Sequence, residues 1–218
     1  ELKSSKVYLR ELTREARLED LKARLERFFQ GIAGRRVEID NLGALDSDEL
    51  IERGTMHVCM YQWLYLPARI REFASRRENR GYYLLMTAMS AACHACESFP
   101  RFQGVEGCAT SLQMVEGEGV SWPRESNAVL QLVELRRALD YALDRFPGLR
   151  RLLDFGIRAE MDMRPARTKL DELHYSVLRG GATRPDLADA LDMILNASRA
   201  SRSVFDTLAA LPELAPRV

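Results

Sequence analysis

The residues best equipped for chemistry fall in one stretch, Thr55–Phe99. It holds His57-x-Cys59 and, further on, Cys93-His94-Ala95-Cys96, so three of the four cysteines and two of the three histidines lie together. Zinc takes four tetrahedral sulfur or nitrogen ligands, and two facing helices would offer Cys59, Cys93 and Cys96 with His94 or, in its place, His57. The spacing also has a plainer reading. Tyr82, Leu85, Met86, Met89, Cys93 and Cys96 fall on one helical stripe, where cysteine behaves as a small apolar residue. No second CxxC follows, and a redox CxxC needs a helix N-terminus to favour the thiolate, whereas this one lies near a C-terminal end. Buried core thiols are therefore the expectation, with a zinc or ligand sensor as the alternative and no cofactor otherwise implied.

Anion chemistry would rest on Arg69, Arg76, Arg77 and Arg80, with Phe73, Tyr82 and Tyr83 beside them. Glu72 and Glu78 sit at helical spacing from these arginines and are expected to neutralise part of the face. His174 follows Asp171 by three residues, but a di-iron bundle needs paired Glu-x-x-His motifs and further carboxylates, so a hydrogen-bonded core histidine is the simpler reading. Gly117-Glu118-Gly119 is flanked by Glu116 and lacks the Lys-Ser/Thr of a phosphate loop. Three histidines and no nucleophile elbow leave no hydrolase triad to assemble.

Composition narrows the class. The 218 residues are 46% hydrophobic and 29% charged, with Lys+Arg and Asp+Glu both at 32. That balance fits one globular domain and gives no global field for a polyanion or a membrane. Arginine outnumbers lysine strongly, only Lys3, Lys6, Lys22 and Lys169 being lysines. Arginine forks suit phosphate, but a GC-rich genome produces the same bias, and net neutrality favours the latter. Four cysteines without an even framework point to reduced thiols and a cytoplasmic or otherwise intracellular protein. The longest apolar run, Met56 to Leu66, is too short to span a bilayer.

The elements that would position these groups read as helices. Over residues 6–30, Val7, Leu18, Leu21, Leu25, Phe28, Phe29 and Ile32 share one face, while Tyr8, Leu9, Leu12 and Ala16 lie on another. A single long helix whose apolar face switches midway would meet its own domain with one half and a second partner with the other. Val37-Glu38-Ile39 reads as a short extended piece, and Asp46-Ser47-Asp48-Glu49 as a brief helix start. Residues 55–66 alternate like a strand, yet their length and helical surroundings favour a helix that Pro67 ends. A core helix spans about 81–97, with Gly81 as a break and Ala88, Ala91, Ala92 and Ala95 admitting a close neighbour. Residues 98–122 form the longest irregular stretch, with a possible hairpin at 110–122.

Beyond it, Ala128, Leu132, Leu135, Leu139, Ala142 and Phe146 step as a helix that Pro147-Gly148 ends. Leu149 to Ile157 begin the next, which ends near Arg164-Pro165. Leu170 to Leu178 make another, stopped by Gly180-Gly181. A last stripe, Leu187 to Leu208, follows Thr183-Arg184-Pro185-Asp186, with Pro212 and Pro216 in a terminal tail.

The expected fold is all-α, a bundle of about six to eight helices. Residues 1–34 form a long N-terminal helix for dimerisation or docking, and residues 35–218 form the bundle domain. The expected function is a non-enzymatic interaction or scaffolding module that self-associates or docks a protein partner through Tyr8, Leu9, Leu12 and Ala16. Anion or nucleic-acid binding at Arg69, Arg76, Arg77 and Arg80 is the alternative from another class.

Overall fold

The N-terminal residues do not continue as one helix. In the computed structural model, which describes residues 14–45, 58–59, 62–98, 124–163, 165–181 and 184–214, the chain is extended at β1 (Ala16–Arg17), and α1 (Lys22–Ala33) follows as a separate element. Strand β1 pairs antiparallel with β5 (Arg69–Ile70), Ala16 opposite Ile70. The physical reason lies across the fold. Extending the backbone here buries Ala16 and Leu18 while Arg17 faces out, and gives Leu18 N–H the Ala68 carbonyl at 3.0 Å. The single helix expected over residues 6–30 is thus interrupted at β1. Leu25, Phe29 and Ile32 do form the buried stripe that their spacing predicts.

Residues 58–59 and 63–66 also correct a helical expectation. Strand β2 (Glu38–Asn41), foreshadowed by Val37-Glu38-Ile39, runs parallel to β4 (Trp63–Leu66), which β3 (Val58–Cys59) flanks antiparallel. Alternation decides the matter. Leu64 and Leu66 are fully buried, while Trp63 and Tyr65 stack on the other face with centroids 5.9 Å apart.

Helix α2 (Arg76–Ala95) begins at a capping box, Ser75 accepting from Glu78 N–H and Glu78 accepting from Ser75 N–H. Gly81 lies inside it and breaks nothing. Both flanks of this helix are covered. One meets α1 and the sheet through Tyr82, Tyr83 and Met86; the other meets α3 (Arg124–Arg145), where Ala92 packs on Ala138 and Ala142. The small surfaces expected of the alanines are used. Helix α4 (Leu149–Met163) crosses α2 so closely that a Cβ on Gly156 would lie 1.8 Å from Leu85 Cδ2.

Around α3 the C-terminal helices α5 (Lys169–Arg179), α6 (Ala188–Ala200) and α7 (Val204–Leu214) enclose a second core of Val133, Leu173, Val177, Leu191, Ile194 and Leu211. Gly180 ends α5 in a left-handed conformation, φ 73°, as its position predicts. The stripe read through Leu187 to Leu208 divides in two. Ser201 is extended, α7 restarts after Ser203, and Phe205 turns outward at 51% exposure. Pro212 lies within α7. Seven α-helices among the described residues make a multi-helix bundle, as the pattern implies, with two small sheets at one end. None of the helices is long and apolar enough to cross a membrane. The helix start at Asp46 and the hairpin at 110–122 lie outside the described residues.

Two N-terminal turns give the C-terminal lobe an acid dependence. Burial alone would raise the Asp171 carboxyl, but hydrogen bonds from Arg167 N–H, Thr168 Oγ1 and Thr168 N–H bring it below its usual range. Asp206 is lowered by the Arg202 and Ser203 N–H groups. A carboxyl lowered in the native state stabilises above its unfolded value, near 3.8 for both, and loses that contribution as pH falls through the native one. Melting followed by circular dichroism is therefore expected to show a falling midpoint below about pH 4. Asp171→Asn/Asp206→Asn is expected to start lower at neutral pH and to lose that portion of the fall.

Candidate functional site

The described cysteine and histidine side chains do not converge on one point. Cys59, at the sheet edge, lies with its Sγ 3.4 Å from His94 Nε2, and the His94 ring meets Phe29 edge-on at 5.2 Å. Both residues are buried. Cys96 turns instead to α3, its thiol donating to the Arg137 carbonyl at 3.7 Å. Burial pushes the Cys93 thiol up to about 12, with Cys96 adding to the effect, and pushes Cys96 up to about 11 against the pull of Arg137. These are protonated thiols at neutral pH, with little nucleophile present. Among the described residues no three or more His, Cys, Asp or Glu side chains are grouped to hold a metal ion. His57 lies outside the described residues.

The arginine segment is divided among elements. Arg69 belongs to β5 and is exposed; Arg76 and Arg77 are exposed at the start of α2. Arg76 pairs at 2.9 Å with Asp20, remote in sequence, and not with the glutamates expected to neutralise it. Glu78 is occupied by the capping box. Arg80 is half-buried, its Nε enclosed without a hydrogen-bond partner. His174 is half-buried and meets the Tyr175 ring edge-on.

Of the N-terminal interaction set, Ala16 is taken into the core at 1% exposure; Tyr8, Leu9 and Leu12 lie outside the described residues. Their point of departure is held firmly. The Asn79 amide, fully buried in α2, donates to the Arg14 carbonyl at 2.8 Å and accepts from Phe73 N–H at 3.1 Å.

Sequence reasoning passed over the most developed polar assembly. Glu134 and Arg137, one turn apart on α3, form a buried ion pair. Thr207 on α7 donates to Glu134 Oε1 at 2.6 Å, while Arg137 Nη2 donates to the Cys96 carbonyl at 2.7 Å and the Arg202 carbonyl at 2.9 Å. The end of α2, the middle of α3 and the α6–α7 junction are thereby tied to one guanidinium. The signal in the sequence is a Glu at i and an Arg at i+3, identical to a solvated surface pair.

This clamp floors a groove of about 610 Å³ between the ends of α2 and α6 and the outer side of α3. Arg136 beside it is committed to Asp140 and to the Val177 carbonyl. Arg145 lies over the Tyr141 ring, 5.2 Å from its centroid. Such a surface presents charged groups of both signs. No protein-family model, no curated protein and no solved structure matches the chain.

Proposed function

We propose that the chain is a non-enzymatic helical interaction module that associates with a second copy of itself through Tyr8, Leu9 and Leu12. The observation that carries the reading is the anchored departure of this segment, fixed by the Asn79 bond to Arg14 and by β1 pairing with β5. The large hydrophobics exposed on the described surface are Leu170 and Phe205, on separate helices, so apolar docking is better served by the N-terminal residues. A net charge of zero lets two copies approach without repulsion. The unbridged Cys59, Cys93 and Cys96 support an intracellular setting.

The burial of Ala16 sets where the test must cut. Removing residues 1–17 would also remove β1, so the deletion stops at Thr13. Light scattering is expected to give a dimer or larger assembly for the intact chain. The shortened chain, and Leu9→Asp/Leu12→Asp, are expected to be monomers with unchanged helical circular dichroism. A monomer in every form overturns the reading.

A further inference from the structure

A thiol and an imidazole meet where β3 reaches the end of α2. Cys59 Sγ and His94 Nε2 lie 3.4 Å apart, within hydrogen-bond reach for sulfur, which is the relation of a nucleophile to its base. Cys59 is 3% exposed and His94 9%, so water competes little for either group. Apolar neighbours hold both in place. Cys59 stands opposite Leu64 in the β3–β4 ladder, and Phe29 of α1 meets the imidazole edge-on.

Two fixed features favour moving the proton from sulfur to nitrogen. His94 lies in the last turn of α2, where the negative end of the helix dipole stabilises an imidazolium. Arg35, half-buried in the loop after α1, interacts electrostatically with Cys59: burial holds the guanidinium below its usual value, and the negative form of Cys59 pulls the other way. The same attraction stabilises a thiolate. Cys93 and Cys96 have different surroundings. Burial raises both, and the Glu134 carboxylate adds to the rise in each. Three cysteines of one chain thus occupy two electrostatic settings.

We propose that Cys59 is a modification site for small hydroperoxides, deprotonated by His94 and oxidised to a sulfenic acid. The thiolate attacks one peroxide oxygen, an S–O bond forms and the O–O bond breaks. The departing hydroxide takes the proton held by His94 and leaves as water. Sulfur is oxidised and the peroxide reduced, so hydrogen peroxide yields one sulfenic acid and one water. The burial of Cys59 admits an oxidant little larger than water and turns bulky reagents away. The site is distinct from the N-terminal residues and independent of self-association.

The test treats the intact, reduced chain with hydrogen peroxide, quenches it in denaturant with dimedone, and reads each cysteine separately by mass spectrometry. At neutral pH Cys59 is expected to be oxidised at least about tenfold faster than Cys93 and Cys96. Between about pH 7 and about pH 8.5 its rate should change less than about twofold, whereas that of Cys96, pushed up to about 11, should rise about tenfold per pH unit. Arg35→Gln and His94→Asn are each expected to slow Cys59 several-fold, the first with the melting temperature of wild type. The wild-type rates and Arg35→Gln decide the matter even where His94→Asn fails to fold. Oxidation of Cys59 no faster than that of Cys93 and Cys96, a rate that climbs with pH as theirs does, or indifference to Arg35→Gln overturns the proposal.

Discussion

Arg137→Met is expected to destabilise the protein by about 3–5 kcal/mol, because it strands a buried carboxylate. Glu134 is 7% exposed and keeps only Thr207 as a described partner once the guanidinium is gone. The Cys96 and Arg202 carbonyls lose their shared donor as well. Arg137→Lys is expected to fall between wild type and Met: the charge survives, but one ammonium cannot reproduce a planar fork serving three acceptors. Urea unfolding with an unchanged m-value measures the loss. The informative comparison is Glu134→Leu/Arg137→Met. Removing both charges relieves the stranded carboxylate, so the double variant should cost less than the sum of the single ones. It should still fall short of wild type, since two backbone carbonyls and the Thr207 hydroxyl remain without their partners. Additive losses would show that the pair is solvated and does not act as a buried unit.

Asn79→Ala is expected to cost about 3 kcal/mol through a different mechanism, the loss of a side-chain amide that stands in for missing backbone partners. Asn79 is fully buried; its Nδ2 lies within bonding distance of the Arg14, Phe73 and Ser75 carbonyls, and its Oδ1 accepts from Phe73 N–H. Alanine satisfies none of these and leaves a small void. The effect should be strongest at the N-terminal anchor. Hydrogen exchange at Leu18 N–H, bonded to Ala68, should accelerate more than exchange in α6, on the far side of the molecule. Asn79→Asp keeps the acceptor and loses both donors, so it should be at least as damaging despite its matching shape. Uniform acceleration across α2 and α6 would show that Asn79 supports the whole fold and not this anchor.

The helical half of the molecule was legible because its information is local. Leu132, Leu139 and Ala142, seven and three residues apart, mark the buried stripe of α3, Pro147-Gly148 ends it, and Gly180 stops α5 where only a residue without Cβ is at ease. The strands were not legible for the same reason. Each is two to four residues long, and its partner is remote: Ala16 pairs with Ile70, Glu38 with Trp63. Periodicity over so few residues does not separate helix from strand, and the backbone follows whichever hydrogen-bond partner the rest of the fold supplies.

The sequence by itself determined that a helical bundle forms, that α2 is a core helix with Ala92 at a close contact, and that Cys93 and Cys96 share its stripe. Only the tertiary structure decided that Ala16 is core, that Cys59 meets His94 while Cys96 meets Arg137, and that the Glu134–Arg137 pair is buried. A local pattern records which side of an element avoids water; it does not record what covers that side. Thr207 and the Cys96 carbonyl turn an ordinary i,i+3 pair into a clamp, and they arrive from other helices.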